Sequence, residues 1–247
     1  MRIDRDRAIL LGGVAAITGV AWLYMVRMVD RMPAAGQAHS HAAMQVGSLF
    51  VMWVVMMVAM MLPATLPYVF AFSAEQRRRQ ADRMPVVPAA FFIAGYFSLW
   101  TAFSGACAVL QQVLHEKALL SPAMSATSSV FSGAVLIAAG AYQWTPMKNA
   151  CLRHCRSPLT FLLSEWREGK AGAFRMGAGH GLFCIGCCWL LMMLPFAAGV
   201  MNLLWMAGIT VFLLLEKAAP KAEWTGRTGG ALLAVAGACV IIFSVAL

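Results

Sequence analysis

Charge is scarce in this chain. Charged side chains make up 12% of its 247 residues, about half the share of an ordinary soluble domain. So little charge cannot cover a water-facing surface, which implies lipid as the solvent for much of the chain. Carboxylates are scarcer still, ten against nineteen lysines and arginines. The apolar runs carry no chain of them, which argues against a proton-driven transporter of the usual kind. A phosphate loop, a dinucleotide fingerprint, a zinc-protease His-Glu-x-x-His and a nucleophile elbow are all absent. No catalytic residue and no enzyme activity are therefore assigned. Cysteine is limited to seven, an odd number, with several inside apolar runs. That excludes a secreted disulfide framework. The net charge of +9 does not imply nucleic acid, because the basic residues stand in short blocks between apolar runs, the distribution that orients helices in a membrane.

Apolar length is what the chain has in abundance, with 61% hydrophobic residues. Crossing the hydrocarbon core takes about 20 apolar residues. Seven segments qualify: 8–29, 46–72, 86–114, 128–144, 177–197, 200–216 and 229–246. The stretch 177–216 is too long for one crossing at about 1.5 Å per residue. Pro195, Gly199 and Asn202 offer a tight reversal, so it is split into a hairpin; without the split the count is six. With the N-terminus in the cytoplasm, sixteen of the nineteen basic residues fall on the inner side, as positive-inside topology requires. The C-terminus is then periplasmic. The first apolar run exceeds the about 7–15 residues of a signal peptide and is read as a retained helix.

The expected fold is therefore all-α. It is a polytopic transmembrane helix bundle forming one domain, multi-pass in a bacterial inner membrane. An interfacial helix is expected near 157–168, with Ser157 as N-cap, Pro158 at the first position and Leu159, Leu162, Leu163 and Trp166 on one side.

Two constellations carry soft-metal chemistry. In the first, Cys151, His154 and Cys155 share a face if their segment is helical. Thiolate and imidazole suit copper(I) and zinc, and Lys148, Arg153 and Arg156 would favour the thiolates. The alternative is two ordinary thiols among charges that set topology. The second is His180, Cys184, Cys187 and Cys188, where steps of four and seven place His180, Cys184 and Cys187 or Cys188 on one stripe. The alternative there is packing of small thiols beside Gly177 and Gly181, whose spacing lets helices approach closely.

Methionine is frequent, with eighteen in the chain. Most serve as gap-fillers between helices. Met60 and Met61 are the best thioether candidates, because Pro63 and Pro67 follow and can open the helix. His39, His41 and Met44 form a further candidate capture segment in the first outer loop, and Glu216 reads as a helix-end partner of Lys217 or Lys221.

Three stretches together resemble a bacterial family of uncharacterised, predicted metal-binding integral membrane proteins. They are Met57 to Pro67 (MVAMMLPATLP), Tyr142 to Leu152 (YQWTPMKNACL) with Cys155 to Pro158, and Gly181 to Met193 (GLFCIGCCWLLMM). The resemblance implies a membrane protein with a metal site and brings no activity with it.

The expectation is an integral membrane protein that binds a soft metal, copper(I) first with zinc or haem as alternatives, for metal handling or delivery. Its ligands would come from Cys151, His154, Cys155, His180, Cys184, Cys187 and Cys188, with Met60 and Met61 as thioether donors. The lipid bilayer is the expected partner, with another membrane protein or a metallochaperone beyond it, and no nucleic acid. The competing reading is a non-catalytic structural or assembly subunit of a larger membrane complex.

Overall fold

The computed structural model describes residues 2–30, 46–79, 86–117, 119–120, 127–219 and 222–246. The described residues are largely helical, with no β-strand among them. The His39, His41 and Met44 segment lies outside them. Helix α1 (Arg2–Asp30) precedes a broken pair, α2 (Val46–Met61) and α3 (Leu66–Arg79), bent by 44° around a 3-10 turn at Pro63–Thr65. Pro63 supplies no N–H and its ring crowds the preceding turn, so the break falls where Met60 and Met61 were expected to precede an opening. The long α4 (Val86–Glu116) follows, then α5 (Ser129–Tyr142), α6 (Pro146–Arg156) and α7 (Pro158–Ser164). Ser128 and Thr145 cap α5 and α6, accepting from Phe131 N at 3.4 Å and Lys148 N at 3.3 Å.

Helix α7 is shorter than the 157–168 expected. It ends at Ser164, Ser157 makes no side-chain cap bond, and residues 165–168 are not helical. Gly169, at φ +77°, turns the chain into α8 (Gly169–Cys188); that backbone conformation favours glycine. The apolar face of α7 is also divided: Leu162 is buried, whereas Leu159 and Leu163 are exposed. Helix α8 begins before the expected Gly177 and ends before the expected Ala197. Its axis breaks by 71° into a 3-10 turn (Leu191–Met193) and α9 (Leu194–Ala198). Pro195 lies in the first turn of α9 rather than at the break. The reversal follows at Gly199, φ +97°, and Asn202 caps α10 (Leu203–Ala218) by accepting from Trp205 N at 3.2 Å. Helix α11 (Ala222–Ala246) ends the fold.

Among the described residues, three stretches are long and apolar enough to cross a membrane: Arg7–Asp30, Val87–Glu116 and Glu223–Ser244. The number rises to five if each bent pair counts as one span. The remaining two expected segments form α5 and α10, of 14 and 16 residues. Large apolar side chains face outward along these elements, Leu204 being 83% and Leu232 72% exposed.

Two tight pairings set the frame. Helix α4 runs along α8, where a Cβ on Gly177 would sit on the Phe92 carbonyl; the expected close approach through Gly177 is present. Helix α5 runs along α11 in the same manner. Helix α6 lies against α8, and α2 against α4. Between them lies a methionine-rich core in which Met25, Met52, Met56, Met57, Met60, Met61 and Met206 are fully buried, together with Trp53 and Trp100. Flexible thioethers fill the irregular space that broken helices leave.

Candidate metal centre

Helices α6 and α8 bring cysteines from distant parts of the sequence together. Cys155, Cys184 and Cys187 place their sulfurs within 4.8 Å of one another, and all three are buried. The Cys155 and Cys187 sulfurs are 3.8 Å apart. Three thiolates bonded at about 2.3 Å around one ion in a plane would stand about 4.0 Å apart. The spacing therefore fits a single soft ion with little movement. Local helix geometry does half the work: Cys184 and Cys187 are three apart on α8 and share a face. None of the seven cysteines is in a disulfide.

The thiols sit in polar company. Lys217 on α10 reaches Cys184 Sγ with its Nζ at 3.2 Å, and the Tyr96 hydroxyl on α4 lies 3.0 Å from the same sulfur. Cys187 and Cys188 donate to the Cys184 carbonyl at 3.1 and 2.9 Å. One turn earlier on α8, His180 is 1% exposed and stacks on Tyr68 at 3.6 Å between ring centroids. Among the described residues its Nε2 has no hydrogen-bond partner, an uncommon state for a buried ring nitrogen. Tyr68 donates to the His154 carbonyl, tying α3 to α6.

The other expected ligands lie around this trio. Cys151 packs beside Gly186, where a glycine Cβ would come within 2.7 Å of its sulfur. Burial pushes its thiol above the ordinary range. The His154 ring is exposed and stacks on Phe183 at 4.2 Å, with Nδ1 3.0 Å from the Ala150 carbonyl. Met60 and Met61 belong to the same apolar cluster as Cys155, Cys184 and Cys187.

The charges differ from the sequence expectation. Lys148 turns inward, fully buried, and bonds Glu216 and Gln143. Arg156 donates to the Ala219 carbonyl. The cation that reaches a thiol is Lys217. Glu216 pairs with Lys148 rather than with Lys217, because adjacent helical residues point about 100° apart. The sequence marks Lys217 only as a partner for Glu216, and it does not mark Tyr96 or Tyr68. The one signal was a lysine at the end of an apolar helix beside a carboxylate it cannot face.

No curated protein and no solved structure matches this chain. A family model described as a copper chaperone, PpoB2, matches residues 50–240, which include every cysteine and histidine of the centre. The chain therefore belongs to the PpoB2 copper chaperone family.

Proposed function

We propose that the chain is an integral membrane copper chaperone, multi-pass in the bacterial inner membrane. It holds copper(I) in a buried thiolate centre and passes it to a partner protein. Cys155, Cys184 and Cys187 are the ligands, His180 and Cys188 stand one step back, and Met60 and Met61 offer thioethers on the adjoining core side. The carrying observation is the convergence of three buried sulfurs from α6 and α8 within 4.8 Å. Soft thiolates select copper(I), and three of them meet its needs, whereas zinc in a structural site takes four ligands. Three thiolates and one copper(I) leave two negative charges buried. Lys217 and the Tyr96 hydroxyl, both at Cys184, offset part of that cost.

Membrane integration is supported by the long apolar helices and the outward apolar side chains. In this reading the N-terminus is cytoplasmic, and the basic ends of α3, α6, α8 and α10 face the cytoplasm. Copper is then acquired on that side.

The test is metal content. Protein purified from copper-supplemented cells should carry close to one copper per chain, and Cys184→Ser with Cys187→Ser should remove it. Copper-free wild-type protein from those cells ends this reading. A Cys→Ser variant that still assembles stably with a co-purifying partner would favour the structural-subunit alternative.

A further inference from the structure

The thiol trio is buried, so cargo must reach it from somewhere. One cleft of about 610 Å³ lies on the helices that carry it, walled by α6, α7, the 165–168 segment and α8. That volume lies within the about 300–1,000 Å³ of small-ligand sites. Three arginines line it, Arg153, Arg167 and Arg175, against a single carboxylate, Glu165. None of the three arginines makes an ion pair with a described residue. The cleft's inner wall includes the stacked rings of His154 and Phe183. These are the residues immediately before Cys155 and Cys184 in sequence. The cleft and the thiols thus occupy neighbouring faces of the same two helices.

We infer that this cleft is the docking site of a small anionic copper carrier, a thiol bearing carboxylates. The inference rests on the copper reading of the thiol trio. Two requirements meet in that ligand class. Copper(I) in water with available thiols is held by thiolate, so a carrier must present sulfur. Three unpaired guanidiniums in a cleft recognise carboxylates by paired hydrogen bonds, so the carrier must be an acid. A carrier seated on the arginines sets its copper beside the His154–Phe183 stack, one helix face away from Cys155 and Cys184. Transfer is ligand exchange with copper remaining +1. A bond from copper to a carrier sulfur breaks as a bond to a cysteine sulfur forms. The proton leaving each cysteine thiol is taken up by the departing carrier thiolate.

The experiment compares two donors on the full-length, metal-stripped protein in detergent, at matched free copper(I). One is copper(I)–glutathione, a tripeptide thiol with two carboxylates, and the other is copper(I)–mercaptoethanol, without charge on its side arm. Replacing Arg153, Arg167 and Arg175 with Gln together should raise the concentration of the glutathione donor at which the loading rate is half-maximal by about tenfold or more, the loss of at least one charge-assisted hydrogen bond. Loading from mercaptoethanol and the final copper stoichiometry should be unchanged. A triple variant that loads like wild type from both donors, or that slows equally with both, overturns the carrier site and leaves the thiol centre standing. Wild type that takes copper from neither donor overturns both. A variant that loads normally in detergent and fails only in vesicles of anionic phospholipid assigns the arginines to lipid headgroups and overturns the carrier.

Discussion

Lys217 Nζ stands 3.2 Å from Cys184 Sγ, across the contact between α10 and α8. A cation there lowers the charge that a copper–thiolate cluster must bury. Lys217→Met keeps much of the stem and deletes the charge. It should weaken copper(I) by about 10–100-fold, the usual scale for a group that supports a ligand without being one. Lys217→Arg, which keeps the charge, should recover part of the loss. Competition with a chromophoric copper(I) chelator measures both. Equal affinity for the methionine variant and wild type would show that the amine is not the counter-charge.

Lys148 and Glu216 form a buried charge pair, 0% exposed on both sides and shared with Gln143. Gly226 of α11 closes over them; a Cβ there would lie 2.6 Å from Glu216 Oε1. Glu216→Leu leaves an ammonium buried without its counter-ion, which costs about 3–5 kcal/mol. Adding Lys148→Met should restore most of that stability, because the charge and its desolvation leave together. Thermal unfolding of wild type, the two single variants and the double variant in one detergent gives the coupling directly. Losses that simply add across the cycle would contradict a paired role.

Much of this was legible in the sequence because it depends on local geometry. Each apolar run is helical, two of them broken, Pro63 breaks α2 from α3, and Cys184 and Cys187 share a face through their spacing alone. What was hidden depends on which elements meet. Cys155 joins the trio while Cys151, one turn away on the same side of α6, packs against Gly186 of that same helix α8, and spacing alone does not say which of the two meets the other thiols. The lysines mislead for a related reason. In sequence Lys148 reads as a charge beside the Cys151 thiol and Lys217 as a partner of Glu216, and only tertiary contact shows that Lys148 neutralises Glu216 and Lys217 reaches Cys184. The bend after Cys188 falls ahead of Pro195, so the proline marked the region and not the residue.

Gly177 fixes the distance between α4 and α8. A methyl there meets the Phe92 carbonyl, a backbone atom that cannot swing aside. Gly177→Ala should therefore destabilise by about 1–3 kcal/mol or more and, by prying α8 from α4, displace Cys184 from the Tyr96 hydroxyl. Gly208→Ala on α10 is the contrast: no atom lies within 4 Å of its Cβ position, and alanine is favoured in a helix by about 0.5–1 kcal/mol. Melting temperatures should move in opposite directions. A neutral Gly177→Ala would mean the helices sit further apart than described.

Glu75 lies beyond the second apolar segment, at the end of α3, where Arg78 and Arg79 bond its carboxylate at 2.7 and 2.6 Å. The Arg78 guanidinium, then Arg79, holds that carboxyl down from the ordinary 4.5 to about 2. Arg79 also lies over the Trp166 ring at 4.7 Å, so the cluster joins α3 to the segment between α7 and α8. A folded-state value below the unfolded one means the contribution is complete above about 4.5 and fades as pH falls toward 2. Solvent screening at the exposed Arg78 keeps it modest, roughly 0.2–1 kcal/mol. Wild type should lose more stability than Glu75→Gln between pH 5 and pH 2 on the same melting assay, and the two curves should converge at the acid end. High salt should narrow the gap at pH 6. Parallel curves at every pH would place the stabilising contact elsewhere than in this carboxylate.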